Sequence, residues 1–242
     1  MALLQSWNVL CWNIRGLNAD KKRLALSNAI QSSGCAIICL QETKMQTFDA
    51  STLKLICPKR FDKFAYIPSI GASGGIVTIW NSALFSGTIA FEEQFALGVN
   101  FTSTQNAHNW TLVNIYGPCQ GEQHNAYTQW LFDLSIPSSE DWLLLGDFNY
   151  IRSPDNRNLP GGNTQDMFTF NDFIQEQELT ELPIKGCAFT WSNMQLNPLL
   201  EQLDWFFTSL NWTTSFPNTM VNPLGRPVSD HMPCSVVIQS KI

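Results

Sequence analysis

Charge is scarce in this sequence. Asp, Glu, Lys and Arg together make up 14% of its 242 residues, against 44% hydrophobic residues, which excludes a solvated, disordered chain and implies a sizeable core. Basic residues are not in excess either: 14 Lys and Arg face 20 Asp and Glu, for a net charge of −6. That balance argues against a broad, sequence-independent grip on nucleic acid; it does not exclude a local basic track beside acidic groups. No apolar run is long enough to span a bilayer. The opening MALLQSWNVL lacks a basic segment followed by a cleavable apolar stretch, so an intracellular protein is expected. The seven cysteines are odd in number and scattered, with no CxxC pair and no Cys/His cluster of zinc spacing. Reduced, mostly buried thiols are expected, with Cys35 and Cys39 on one face of a strand. Three sequons, at Asn100, Asn109 and Asn211, are about the number that chance gives in a chain so rich in Asn, Ser and Thr.

What the sequence does have is many short apolar runs. Strands are predicted at 7–14, 35–42, 63–69, 75–81, 96–102, 110–116, 141–147, 188–193, 202–208 and 234–240. Helical spacing predicts helices over 19–33 (Leu26, Ala29 and Ile30 on one face), 122–136 (Tyr127, Trp130, Leu131 and Leu134) and 164–178 (Phe170, Phe173 and Ile174). Strands outnumber helices and several are adjacent, so mixed sheets with hairpins fit better than a strict βαβ repeat. Two packed β-sheets with helices outside would bury the abundant Trp and Phe. No repeat, low-complexity segment or linker divides the chain, which reads as one domain over residues 1–242.

The stretch LLLGDFNYIRSPDNR, residues 143–157, runs a strand with two apolar faces straight into Asp147 and Asn149, groups that are costly to bury unpartnered. Other runs end in the same way: WNIRG with Asn13, CLQETK with Glu42, NIYGP with Tyr116, QLDWFF with Asp204, and PVSDHMP with Ser229, Asp230 and His231. Taken singly, each is more often a solvated turn residue. Taken together they supply hard oxygen ligands, amide donors, and an imidazole with a carboxylate to orient it. Mg²⁺ binds through a few carboxylates and keeps several waters. An orienting or accepting carboxylate for the attacking water, and donors for the charged transition state, complete the set for metal-assisted phosphodiester hydrolysis.

In order along the chain, WN..G, QE, NIYGP, GDFN, LDWFF and SDH resemble the exonuclease–endonuclease–phosphatase superfamily, which includes deoxyribonuclease I and abasic-site endonucleases. The resemblance implies an α/β fold, a four-layered sandwich of two mixed β-sheets flanked by helices, with the site at one edge of the paired sheets. The pieces WNIRGLN, QETK, GGIVTIWN, NIYGPC, GDFN, TWSN and LDWFF further resemble the endonuclease domain of LINE-type (non-LTR) retrotransposons, especially those of plants. That likeness implies a domain excised from a longer polyprotein in which a reverse transcriptase follows. It also implies a double-stranded DNA target, action in the nucleus after cytoplasmic synthesis, and a monomer when isolated.

Family roles carry over residue by residue. Glu42 is the expected principal ligand of Mg²⁺, or of Mn²⁺ in its place, helped by Asn13 and Asp230. Asp147 orients or deprotonates the attacking water, and Asn149 holds the scissile phosphate. His231, oriented by Asp204, donates to the phosphoryl oxygens, while Tyr116 contacts the phosphate or helps the leaving oxygen. Thr190 and Ser229 support these groups. Abasic-site endonucleases carry an aspartate two residues after the asparagine of WN..G; here that position is Arg15, expected with Lys44 to touch DNA phosphate. LINE endonucleases also lack that aspartate. Between TWSN and LDWFF, residues 194–202 read as a long hairpin loop joining two strands; the resemblance makes it a probe of the DNA minor groove, with Gln195 and Asn197 among the contacts. Two alternatives stand beside DNA nicking: hydrolysis of RNA or a small phosphate ester on the same fold, and a decayed domain that binds nucleic acid without cutting.

Overall fold

The computed structural model describes residues 6–71, 73–119, 121–226 and 228–240. Among these residues the elements run β1 (Ser6–Asn13), α1 (Asp20–Ser33), β2 (Ile37–Gln41), α2 (Ala50–Ile56), β3 (Lys63–Ile70), β4 (Ser73–Trp80), β5 (Phe85–Glu93), β6 (Ala96–Ser103) and β7 (Asn109–Tyr116). There follow α3 (Gln123–Asp133), β8 (Trp142–Asp147), α4 (Thr164–Glu176), β9 (Thr180–Glu181), β10 (Trp191–Ser192), β11 (Leu200–Glu201), β12 (Asp204–Thr208), α5 (Trp212–Ser215), β13 (Met220–Pro223) and β14 (Cys234–Gln239).

Two six-stranded sheets form, in the orders β13-β14-β1-β2-β4-β3 and β5-β6-β7-β8-β12-β9. Each has one parallel pair at its centre, β1 with β2 and β7 with β8; the other pairings are antiparallel. A parallel pair needs a crossover, and α1 and α3 supply it. Strand alternation then sorts the side chains. Val9 and Cys11 of β1, Ile37 and Cys39 of β2, Leu112 of β7, Leu143 and Leu145 of β8 and Phe206 of β12 meet between the sheets. Leu10, Trp12, Ile38 and Leu40 face the other way and pack on Leu26, Ala29, Ile30 and Leu53 of α1 and α2. On the far side Val113, Leu144, Trp205 and Phe207 meet Tyr127 and Leu131 of α3 and Phe170 and Phe173 of α4. The result is the expected four-layered sandwich, helix, sheet, sheet, helix.

Three local expectations are corrected. The run 188–193 contributes only Trp191–Ser192, and its hairpin partner is Leu200–Glu201 rather than the run 202–208. That later run starts at Asp204 and lies between β8 and β9 in the second sheet, because Phe206 and Thr208 have inter-sheet space to fill that a surface hairpin cannot offer. Cys35 and Cys39 do not share a face: β2 begins after Cys35, whose thiol packs on the helix side while Cys39 lies between the sheets. All seven cysteines are free, and burial pushes the thiols of Cys11, Cys39 and Cys234 up, away from the reactive thiolate.

Candidate active site

The inter-sheet faces of five strands are apolar along most of their length and end polar on the same side of the sandwich. β1 continues Val9 and Cys11 with Asn13, β8 continues Leu143 and Leu145 with Asp147, β7 ends at Tyr116, β12 begins at Asp204, and β2 ends at Gln41, next to Glu42. Register brings these ends together. Asp147 lies opposite Tyr116 on one side and Asp204 on the other, and Asn13 lies opposite Gln41. The alternation that builds the core therefore also aims these side chains into the gap between the sheets. Gly146 permits the close approach: its φ is +137°, and a Cβ there would fall 2.0 Å from the Ile115 carbonyl oxygen.

Asp147 is 1% exposed and held from three directions. Asn13 donates through Nδ2 to Asp147 Oδ2 at 2.7 Å, and the Asn149 backbone N–H donates to Oδ1 at 3.0 Å. His231 Nε2 stands 3.4 Å from Oδ2, long for a hydrogen bond but within ion-pair reach. The other ring nitrogen, Nδ1, donates to Asp204 Oδ2 at 2.9 Å. Thr190 fixes that partner in turn, its Oγ1 accepting the backbone N–H groups of Leu203 and Asp204 at 3.1 and 3.0 Å. Trp12 Nε1 donates to the His231 carbonyl at 3.1 Å.

One imidazole thus serves two buried carboxylates. Burial alone would pull the His231 pKa down, but Asp204 and Asp147 outweigh it and raise it to about 9, so the ring is an imidazolium that donates through Nδ1 to Asp204 and faces Asp147 with Nε2. One cation cannot balance two anions. The surplus falls on Asp147, whose pKa rises to about 7 through burial first and the like charge of Asp204 second, against the opposing pull of His231, Asn13 and the Asn149 N–H.

Glu42 and Asp230 form a second, more open group. Arg15 reaches both, with Nε 3.4 Å from Glu42 Oε2 and Nη1 on Asp230 Oδ2. Lys44 Nζ lies 3.2 Å from Glu42 Oε1, and Trp191 Nε1 donates to Asp230 Oδ2 at 2.9 Å. Ser229 Oγ ties the segment to β1 by donating to the Asn13 carbonyl at 2.8 Å. Arg15, Glu42, Lys44 and Asn149 all have left-handed backbones, with φ between +50° and +55°, so three chain reversals present these side chains. Gly75 makes room for the second reversal: a Cβ there would meet Thr43 Oγ1 at 2.4 Å.

The donor chemistry of this second group suits a hard divalent cation. Two carboxylates at the solvent edge share Arg15, with Lys44 also on Glu42 and the Asn13 amide oxygen nearby, and Mg²⁺ binds through one or two carboxylates while keeping its waters. Asp147, Asp204 and His231 also bring ligand atoms within 4.8 Å of one another. That trio suits a metal less well, because its members are 1–3% exposed and its imidazolium, hydrogen-bonded to Asp204 through Nδ1, has no lone pair to give an ion.

Of the residues the sequence nominated, Asn13, Glu42, Tyr116, Asp147, Asn149, Thr190, Asp204, Ser229, Asp230 and His231 converge at this edge. Asn149 Nδ2 donates to the Gly117 carbonyl at 2.7 Å, and burial together with the charges of Glu42 and Asp147 pushes the Tyr116 phenol up. Arg15 and Lys44 are engaged with the two acids. Gln195 and Asn197 lie apart from the carboxylates, exposed in the β10–β11 loop, whose base is tied to the site by the Ser192 N–H on the Asp230 carbonyl at 3.0 Å. Sequence reasoning gave no role to Trp191, to Trp12, or to the buried pair Gln41 and Asn114. Gln41 Nε2 donates to Asn114 Oδ1 at 2.6 Å, and Asn114 Nδ2 to the Val77 carbonyl at 3.1 Å, which pins the two sheets together beneath the site. A polar residue at an inward position of an apolar strand was the available signal.

The model of the Endonuclease/Exonuclease/phosphatase family matches residues 10–231, so the chain belongs to that family, and membership supports a hydrolase acting on phosphodiester bonds. Solved structures share the fold at low identity. The AP endonuclease LMAP from Leishmania major is 16% identical with a TM-score of 0.77, covering 98% of this chain and 89% of that one. The AP endonuclease from Archaeoglobus fulgidus is 12% identical with a TM-score of 0.73, covering 96% and 99%. The endonuclease domain of TRAS1, a telomere-specific non-LTR retrotransposon, is 13% identical with a TM-score of 0.69, covering 97% and 98%.

Proposed function

We propose that this chain is a Mg²⁺-dependent endonuclease domain that nicks double-stranded DNA and leaves a 3′-hydroxyl to prime reverse transcription. In this reading it is one domain of a non-LTR retrotransposon polyprotein that also holds a reverse transcriptase and acts in the nucleus. The observation that carries the hydrolytic part is the side-by-side placement of the Asn13–Asp147–His231–Asp204 network and the Glu42–Asp230 pair. The motif likeness to LINE-type endonucleases and the full-length fold match to the TRAS1 domain support the element assignment.

Asp147, held by Asn13 and by the Asn149 N–H, orients a water and takes its proton. His231 offers its cationic edge to the phosphoryl oxygens, with Asp204 and, through it, Thr190 fixing the ring. The Asn149 amide has an N–H beyond the one given to Gly117 for a non-bridging oxygen. Tyr116, opposite Asp147, contacts the phosphate or helps the leaving oxygen. Glu42, Asp230 and the free lone pair of Asn13 Oδ1 would hold the cation, which when bound neutralises charge on the phosphate.

A second reading, hydrolysis of a small phosphate ester, draws on the net charge of −6 and on the shared fold of a mannosyl-6-phosphatase from Bacteroides thetaiotaomicron, 13% identical with a TM-score of 0.60. Incubation with supercoiled plasmid in Mg²⁺ and in EDTA separates the readings. Open circles in Mg²⁺ alone are expected. Intact plasmid alongside turnover of a generic phosphomonoester would replace the proposal with the second reading.

A further inference from the structure

Arg15 bridges the two carboxylates assigned to the cation. Its guanidinium is the group shared by both edge carboxylates, through Nε to Glu42 and Nη1 to Asp230. The neighbouring lysines do not share that position: Lys44 touches Glu42 alone, and Lys22 Nζ donates to the Ile14 carbonyl at 2.6 Å. The Arg15 backbone is fixed, since its N–H donates to Asn13 Oδ1 at 3.2 Å and the next N–H, of Gly16, to the Glu42 carbonyl at 2.7 Å. Its side chain is not buried with it. Exposure is 47% for Arg15 against 10% for Glu42 and 11% for Asp230, so the guanidinium caps the acids from the solvent side and can leave without disturbing the core.

We propose that Arg15 is a tethered counter-cation that holds Glu42 and Asp230 in the metal-free protein, and that a divalent ion must displace it to bind. This rests on the assignment of these two acids as the metal site. Glu42 Oε2 and Asp230 Oδ2 cannot serve the guanidinium and the ion together, because the two positive charges repel and compete for the same oxygens. Displacement frees a planar fork at the mouth of the site, a geometry that matches phosphate oxygens. Metal loading and capture of a DNA phosphate are then coupled, each favouring the other. Arg15 is thus a positioning residue that exchanges partners between the empty and the loaded site.

The test is Mn²⁺ binding followed by electron paramagnetic resonance, without DNA, for wild type, Arg15→Ala, Arg15→Lys and Glu42→Gln. Removing a charge-assisted, half-exposed competitor should tighten binding by about tenfold in Arg15→Ala. Arg15→Lys, which keeps the charge but lacks the fork, should fall between, and it carries the test if the alanine variant does not fold. In EDTA, Arg15→Ala should melt below wild type and regain more on adding Mn²⁺, since Asp230 loses its ion-pair partner and Glu42 keeps Lys44 alone. Equal or weaker Mn²⁺ binding by both Arg15 variants overturns the inference. If binding is lost in Glu42→Gln but unmoved in the Arg15 variants, the metal site stands and only the displacement fails. If no variant binds Mn²⁺, both fail.

Discussion

Asp147 and Asp204 share His231 at 1–3% exposure, whereas Glu42 and Asp230 share Arg15, whose side chain is 47% exposed. Both clusters set two carboxylates around a shared cation, with Lys44 as a second partner of Glu42 in the outer one, yet water decides what each can do. In the inner cluster the imidazolium cannot leave, because nothing else could neutralise two acids buried between the sheets, so its geometry is permanent. In the outer cluster the guanidinium reaches in from solvent and can be exchanged. The proposed mechanism asks for a base held still and a metal ion admitted, which calls for one cluster of each kind, and the ends of the two sheets set two such clusters side by side.

The most forceful way to break this contrast is to remove the cation from the inner cluster. His231→Ala should lower stability by about 3–5 kcal/mol, since it leaves two buried acids without a partner. Cleavage should fall by roughly 10²–10⁴ in His231→Ala and in Asp204→Asn alike. The double variant should lose little more than the worse single one, because the pair acts as a unit. Urea unfolding and single-turnover nicking read the two effects. Strictly multiplicative rate losses would show that the two residues work independently.

Glu42→Ala sharpens the contrast from the other side. Metal-supported cleavage should vanish with no more than about 1 kcal/mol of stability lost, because its partners Arg15 and Lys44 reach in from solvent and removing the carboxylate leaves no charge buried without water. The melting temperature in EDTA should therefore stay near wild type. Undiminished turnover with metal would remove Glu42 from the metal site, and a large loss of stability would make it a structural acid like Asp204.

The inner half of this picture was more legible in the sequence than the outer half. Strands such as β1 and β8 are buried on both faces, so composition betrays them, and the polar residue that ends each run betrays the site. Two edge strands leave no such trace, although the edge strand β3 does: β5 carries mostly exposed positions, and β13 ends in Pro223 with one fully buried residue, Val221, so hydrogen bonding rather than burial defines them. α2 was missed because Leu53 and Ile56 alone face the core. Partnership was hidden for a different reason. Asn13 and Asp147 are 134 positions apart, and Arg15 and Asp230 215 apart, so only the register of two sheets brings either pair together. A nearby opposite charge in the chain would have said nothing about Arg15; its place between two acids is a property of the fold.

The smallest effect concerns a region outside both clusters. The β10–β11 loop is joined to the site at its base, through the Ser192 N–H on the Asp230 carbonyl and the bridge between Trp191 and His231, and it closes on itself through Asn193 Oδ1, which accepts the N–H groups of Gln195 and Leu199 at 3.2 and 3.0 Å. Beyond that closure Met194 and Leu196 are 66% and 98% exposed, large apolar side chains with no partner in the fold among the described residues. Replacing 194–198 by a Gly-rich turn should leave the base, and with it both clusters, where they are, since surface loops tolerate such changes. If the loop only decorates the surface, rate and nicking pattern should both stay as they were. If it inserts into the minor groove, as expected of a LINE-type endonuclease, the overall rate should change by no more than a few-fold while the distribution of cut sites spreads. Wild-type preference should favour flexible pyrimidine–purine steps, whose deformation costs least, and the variant should lose that preference first. Mapping nicks from the two proteins on one duplex decides the matter: superimposable patterns at equal rates would leave Gln195, Asn197 and the exposed Leu196 without a role in target choice.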